Sequence, residues 1–416
     1  MLLKKLTLRN FRGLDDVSLS FIDAAGKPRL QTLLLGENGM GKSTILKAIA
    51  LIGAGSNSLS ELIGNPDEWI SFGEKSCEIN AVFVTKDVKS PKEREISLKI
   101  NRGDSIKDIL VNNTESLDEI DRALSYADRN YFILGYGASR RLNKNQSFNQ
   151  SGSFYNNDRS ANVATLFNSD ANLYPLSAWV MELDYRSEGD ALERIKEALN
   201  EFLVNVRFDS IDKQQKTLLF SNGKDLVPIH LLSDGYQNVS GWIGDMLYRI
   251  FNTFGDRQNP LLTNGILLID EIDLHLHPTW QRKLLGYLKA KLPNFQIIAS
   301  THSPLTAQQA GERELIVLSR NTNMQIEAQL FEGTPNKMLL HQVLLSPIFG
   351  VGSDESYETE QLKTEYENLK NSKGSKAKVD KLSKRIQAIP QVTRTNMVAD
   401  SGLVDLLNKI NQELQQ

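Results

Sequence analysis

A single cysteine, Cys77, stands in a chain of 416 residues. That scarcity excludes a disulfide framework and any zinc site built from paired cysteines. Long hydrophobic runs are missing too, and no stretch approaches the roughly 18 apolar residues of a membrane-spanning helix. Met1-Leu2-Leu3-Lys4-Lys5 leads into an amphipathic strand instead of a signal-peptide pattern, so a cytoplasmic chain without a membrane partner is expected. Charge of one sign is also lacking. A formal net charge of −3 exerts no global pull on nucleic acid, so contact with DNA or RNA would rest on local patches. The five histidines are His230, His275, His277, His302 and His341, and they form no HNH pattern. The residues after His302 carry no strand-spaced acidic cluster of a nuclease. The chain is therefore not expected to cut nucleic acid by itself.

What is present begins with Gly36-Glu37-Asn38-Gly39-Met40-Gly41-Lys42-Ser43. The apolar run Gln31–Leu35 before it suits a buried strand. Ile45, Ile49 and Ile52 after it share one helical face. Glycines in such a turn let backbone N–H groups surround phosphate oxygens at the positive end of a helix. Lys42 would then reach the outer phosphates, and Ser43 would hold a divalent cation.

A second constellation is Gly265-Ile266-Leu267-Leu268-Ile269-Asp270-Glu271, a buried parallel strand ending in two acids. Carboxylates at the C-terminal end of such a strand lie at a sheet's ligand-binding edge. Asp270 suits metal binding, and Glu271 suits orientation or deprotonation of an attacking water. A third strand, Phe295–Ser300, delivers Thr301-His302-Ser303-Pro304, where His302 could contact a terminal phosphate. The pair His275-x-His277 raises the question of zinc, but a third and fourth ligand are lacking. It reads better as a rigid segment ended by Pro278 before a helix over Thr279–Lys291. Leu232-Ser233-Asp234-Gly235-Tyr236-Gln237 starts another helix, with Ser233 at the N-cap and Gln237 in the first turn.

Together these segments resemble the ABC-type ATPase heads of the SMC, RecF and overcoming-lysogenization-defect group. Leu6-Thr7-Leu8-Arg9-Asn10-Phe11-Arg12-Gly13 is similar to that group's opening strand. Ile272 through Pro278, Phe132 through Arg140, and Ser346-Pro347-Ile348-Phe349-Gly350 are similar to the compact ATPases of bacterial anti-phage operons, of the Septu type. The resemblance implies an α/β fold, an ABC-type P-loop ATPase head with mixed β-sheets and flanking helices, plus a C-terminal helical extension. It implies ATP and Mg2+ as ligands. Arg12, Asn38, Gly39, Gly41, Lys42, Ser43, Thr44 and Asp270 would bind the nucleotide, with Ser43 and Asp270 on the metal. Glu271 and His302 would be catalytic. Ser233 and Gly235 would serve the ATP of a second copy, giving a homodimer through the ATP sites or a higher oligomer. It also implies a separate HNH-type nuclease subunit under the control of this chain. A RecF-like DNA clamp for repair, with no effector partner, is the alternative. The glutamine that senses Mg2+ in relatives is left open between Gln146 and Gln150.

Organisation follows from where these motifs fall. Residues 1–85 read as antiparallel strands with the phosphate-binding (Walker A) loop, turning near Ala25-Gly26-Lys27-Pro28. Residues 86–130 read as a charged, weakly periodic surface insertion with a helix around Asp118–Arg122. Residues 131–345 complete the head, and 346–416 form a helical partner-docking region. The Asn- and Ser-rich stretch 143–160 reads as a polar loop, with Phe148 and Tyr155 as candidate stacking groups. Helices over Ala191–Phe202, Glu355–Lys370 and Ala377–Ile389 are expected, the last two joined as a hairpin. Between Gln361 and Pro390 eight Lys or Arg face three Asp or Glu, a charge run that suits a solvated face, nucleic-acid contact or partner docking. A final apolar stripe over Asn396–Glu413 is a candidate tether for a second subunit.

Overall fold

The computed structural model describes residues 1–86, 91–125, 132–140, 157–186, 189–203, 205–255, 257–351, 353, 355–371 and 376–387. Along the chain the strands are β1 (Leu2–Phe11), β2 (Leu14–Ser20), β3 (Gln31–Gly36), β4 (Ser76–Lys86), β5 (Pro91–Asn101), β6 (Ile133–Tyr136), β7 (Arg207–Asp212), β8 (Thr217–Ser221), β9 (Leu226–Pro228), β10 (Gly265–Ile269), β11 (Phe295–Thr301), β12 (Leu315–Arg320) and β13 (Ile326–Leu330). The helices of the first half are α1 (Lys42–Gly53), α2 (Ser56–Leu62), α3 (Ile106–Asn112), α4 (Thr114–Ser125), α5 (Asp158–Phe167), α6 (Leu176–Tyr185) and α7 (Gly189–Phe202). Those of the second are α8 (Asp234–Phe254), α9 (Pro278–Gln281), α10 (Leu284–Lys291), α11 (Pro304–Ala307), α12 (Leu340–Leu344), α13 (Tyr357–Asn371) and α14 (Lys376–Gln387).

The six-stranded sheet runs β13-β12-β3-β11-β10-β6. Its strands from β6 to β12 pair in parallel, and β13 closes the edge antiparallel to β12. Every residue of β3, β10 and β11 is buried, which is why these strands read as continuous apolar runs instead of alternating ones. Successive side chains still point to opposite faces. On one face Leu34, Ile266, Leu268 and Ile298 pack with α1 and with the antiparallel sheet β2-β1-β4-β5. On the other, Leu33, Leu35, Leu267, Ile269 and Ile297 pack with residues of α6, α7, α8 and α10. Burying a leucine this fully contributes about 1.5–3 kcal/mol, and helix α1 gains it along most of its length. This is the expected mixed-sheet α/β head.

Two local readings differ from the structure. Within the surface insertion expected over 86–130, residues 91–101 form β5, which pairs with β4 along its full length. Arg94, Ile96, Leu98 and Ile100 are its buried positions, a period of two diluted by charged partners on the outer face. The helix expected over Thr279–Lys291 is broken into α9 and α10. Lys283 N–H donates to the Trp280 carbonyl at 2.9 Å, an i→i+3 bond that tightens the turn between them.

The described chain divides into two compact units, Met1–Phe349 and Gly350–Gln416. In the second, α13 and α14 pack as the expected hairpin. Leu382 is buried, while Leu362, Tyr366, Leu369, Val379 and Ile386 are half-buried. The readings on Gln146, Gln150, Phe148, Tyr155 and Asn396–Glu413 lie outside the described residues.

Candidate nucleotide site

Site residues gather where the parallel strands end. The chain leaves β3 through Gly36, where a Cβ would stand 2.6 Å from the Leu318 carbonyl oxygen, so only glycine lets β3 and β12 approach this closely. Gly39 and Gly41 both take φ of 79°, the left-handed turn that glycine enters without cost. Helix α1 then begins with no side-chain cap on its first N–H groups. Glu37, Asn38 and Gly39 are exposed, and Ser43 and Thr44 are half-buried at the helix start. Open N–H groups at the positive end of a helix fit a phosphate chain.

Lys42 is buried and bent back onto its own loop. Its ammonium donates to the carbonyls of Gly36 at 2.8 Å and Glu37 at 2.9 Å. Burial lowers its pKa, while the charges of Asp270, Glu271 and Asp273 act in the opposite sense. Those acids follow β10, which lies one strand beyond β11 from β3. The Asp270 carboxylate accepts a 2.6 Å hydrogen bond from the Ser300 hydroxyl. The same hydroxyl accepts from the Glu271 N–H at 2.7 Å. A single serine on β11 thus fixes both acids. The Asp270 carboxylate is an oxygen donor of the kind that divalent cations take.

Arg140 was not assigned a role from sequence, yet it is a fastener of the site. It is buried, and its guanidinium donates to the Asp270 carbonyl at 2.7 Å and to the Glu271 carbonyl. Burial pulls its pKa down to about 10, which leaves it charged at neutral pH. Asp273 was likewise missed. Its carboxylate accepts from the Thr301 hydroxyl, and burial raises its pKa. His302, half-buried beside these groups, has its pKa lowered by burial and then by the Lys42 ammonium. Arg140, Glu271 and His275 have positive φ of 28°, 47° and 62°. Such backbone costs a non-glycine residue about 1–3 kcal/mol.

The remaining predicted residues lie apart from this cluster or at its rim. Arg12 donates to the Glu68 carbonyl at 3.0 Å, and its guanidinium sits 4.2 Å over the Trp69 ring. Burial lowers the pKa of Lys47, a residue of α1 that sequence reasoning passed over, and Arg12 and Asp270 act on it in opposite senses. Ser233 is the exposed N-cap of the 21-residue helix α8, and its side chain makes no capping bond. Gln237 instead donates to the Leu232 carbonyl at 2.6 Å. A Cβ on Gly235 would stand 3.5 Å from the His275 carbonyl oxygen, so this helix start lies against the segment that follows Glu271. His277 caps α9 through Thr279 N–H. Among the described residues no His, Cys, Asp and Glu cluster forms a ready-made metal cage.

Behind the site, Asp245 is fully buried and anchors β6 to α8. Its carboxylate accepts from the Tyr136 hydroxyl, the Arg249 guanidinium and the Tyr174 N–H, each at 2.7 Å. Tyr136 pairs with Ile269 at the end of β10, and its carbonyl accepts from the Asp270 N–H at 2.7 Å. This network therefore sets where β10 delivers its acids.

Comparison with known proteins finds relatives in sequence and in fold. The Septu protein PtuA of Bacillus mycoides strain KBAB4 is 27% identical over 354 residues, which cover 84% of this chain and 45% of that protein. The chain thus spans less than half the length of that relative. The Septu protein PtuA of Bacillus thuringiensis is 26% identical over 333 residues, 76% of each chain. An Smc head solved with the C-winged helix domain of ScpA aligns at 18% identity and a TM-score of 0.48, over 80% of this chain and 98% of that one. The family model described as "AAA domain, putative AbiEii toxin, Type IV TA system" matches residues 32–307, from the phosphate loop to beyond His302, and the chain belongs to this family of ATPases.

Proposed function

We propose that the chain is the ATP-hydrolysing regulatory subunit of a bacterial anti-phage defence complex, that two copies close around two ATP molecules, and that the closed pair controls a separate HNH-type nuclease. The observation that carries the ATP reading is one sheet edge at which a glycine loop with left-handed Gly39 and Gly41, the buried Lys42 and the Ser300-held Asp270 and Glu271 come together. Lys42 exchanges the carbonyls of Gly36 and Glu37 for the outer phosphates. Backbone N–H groups from Asn38 to Thr44 cradle the phosphate chain. Ser43 and Asp270 hold Mg2+, which when bound offsets the phosphate charge. Glu271, held by Ser300 and Arg140, orients and deprotonates the attacking water. A neutral His302 donates one hydrogen bond towards the terminal phosphate. Arg12 adds a positive charge at the rim.

The dimer reading is supported by Ser233, whose exposed hydroxyl caps nothing in its own chain and stands at the start of a long helix. With Gly235 it would meet the terminal phosphate held by the second copy. The defence setting is supported by the relatives named Septu protein PtuA, and the nuclease would dock on the helical region after Gly350. Glu271→Gln should bind ATP with Mg2+, hydrolyse it at least about a hundredfold more slowly, and run at twice the monomer mass in light scattering. Monomer mass with ATP bound would sink the sandwich. Copurification from the native host separates the two function readings. A stoichiometric small nuclease supports the defence complex, and the ATPase alone, holding DNA only with ATP, supports a repair clamp.

A further inference from the structure

Arg29 is a buried cation that the described residues satisfy only in part. It sits between the hairpin bridge Ile22–Pro28 and the start of β3, and is only 5% exposed. One terminal nitrogen donates to the Ser20 carbonyl. Its Nε and Nη1 are buried with no hydrogen-bond partner, and among the described residues no carboxylate stands within ion-pair distance. Two acids act on it from farther away, Asp23 and Glu314, and each also accepts hydrogen bonds from neighbouring backbone. Asp23 accepts from the N–H groups of Ala25 and Lys27, each at 2.9 Å. Glu314 accepts from the Gly311 N–H at 2.7 Å and faces Lys289 at 3.5 Å. Arg313, exposed and close enough to oppose its charge, adds a second guanidinium.

Both arginines line one cavity of about 140 Å³ between β2 and the β12–β13 hairpin. Exposed Ser18 and Ser20 form part of its wall, and Ile22 and Leu330 contribute an apolar part. An unpaired buried guanidinium is costly, and proteins ordinarily pair such charges. Here a cavity lies beside the partly satisfied guanidinium, with two serines and a second cation in its wall. We propose that this cavity binds a small oxyanion, a phosphate or a carboxylate bearing a short apolar group, as a site separate from the nucleotide site. The two sites lie at opposite ends of β3, whose six residues span about 20 Å.

The test uses the full-length Lys42→Ala chain, so that the phosphate loop does not compete for the probes. Inorganic phosphate and butyrate are titrated separately by calorimetry and thermal shift. One of them should bind at one equivalent per chain and raise the melting temperature, and which one does so distinguishes a phosphoryl from a carboxylate ligand. Adding Arg29→Met should abolish that binding. Adding Arg313→Ala, at an exposed position that leaves the fold alone, should weaken it by about tenfold, which keeps the test decisive if the Arg29 variant misfolds. Equal binding in all three chains would overturn the proposal. So would failure of both probes to bind the Lys42→Ala chain.

Discussion

Two buried cations flank strand β3, Arg29 just before it and Lys42 just after it, and their surroundings are opposite. The Lys42 ammonium rests on two backbone carbonyls and feels three carboxylates. The Arg29 guanidinium makes one bond, to the Ser20 carbonyl, has two buried nitrogens with no partner, and feels a second arginine as well as two more distant acids. In the first case the loop supplies stand-ins that a phosphate can displace, so the charge is held ready at little cost. In the second the fold leaves the charge only partly met beside a cavity. Burial alone therefore does not mark a ligand-binding cation. The acceptors within reach decide what an arriving anion gains.

Removing Lys42 should break this comparison most visibly. Lys42→Ala should cut ATP hydrolysis by about 10²–10³-fold while its melting temperature stays near that of the parent. Retained turnover would detach the phosphate loop from the chemistry. A third cation, Arg249, is half-buried and ion-paired with Asp245 at 2.7 Å, and Asp245→Ala removes that partner. That change strands the guanidinium and removes the acceptor of Tyr136 and Tyr174. Denaturant unfolding should register a loss of about 3–5 kcal/mol, and a loss below 1 kcal/mol would show that pairing is not what keeps this arginine in the fold.

Ser300→Ala probes the acids that face Lys42. It leaves the Asp270 carboxylate and the Glu271 N–H each short of a partner, for about 1–3 kcal/mol of stability. Turnover should fall with little change in KM, because the serine aligns the acids and does not hold the nucleotide. A rise in KM alone would contradict that. The smallest effect concerns Cys77, a buried group with no charge to satisfy. Burial pushes its thiol pKa up to about 12. The folded chain thus favours the neutral thiol, and any contribution to stability is intact below the unfolded thiol's pKa and lost as pH climbs towards 12. Iodoacetamide at pH 8 should leave Cys77 unmodified until the chain unfolds. Rapid labelling of native protein would mean that β4 opens locally.

Much of this was legible in the chain. Strands β3, β10 and β11 announce themselves as apolar runs because both their faces are buried, and the groups they deliver follow directly in sequence. The α13–α14 hairpin was readable for the opposite reason, since a lone apolar stripe at helical spacing stands out against charge. Strand β5 was hidden because Glu93, Glu95 and Lys99 face outward and Arg94 inward, so its apolar alternation begins only at Ile96 and the run resembled a surface segment. Arg140, Asp273 and Ser300 were hidden for a different reason. Each works by touching the backbone or side chains of residues distant in sequence, and no local spacing encodes such a contact. Arg29 carries no sequence signal at all, because what distinguishes it is the partner that two of its nitrogens lack in three dimensions.

The left-handed backbone at Glu271 has a consequence for the chain's evolutionary reach. Glycine would relax that turn and harden the protein against heat, but it would also delete the carboxylate. Asparagine, which tolerates the same turn better than most residues, would keep the shape and lose the base. Selection for thermal endurance therefore pulls this position away from turnover, and heat-adapted descendants that stay active must find their added stability elsewhere in the fold.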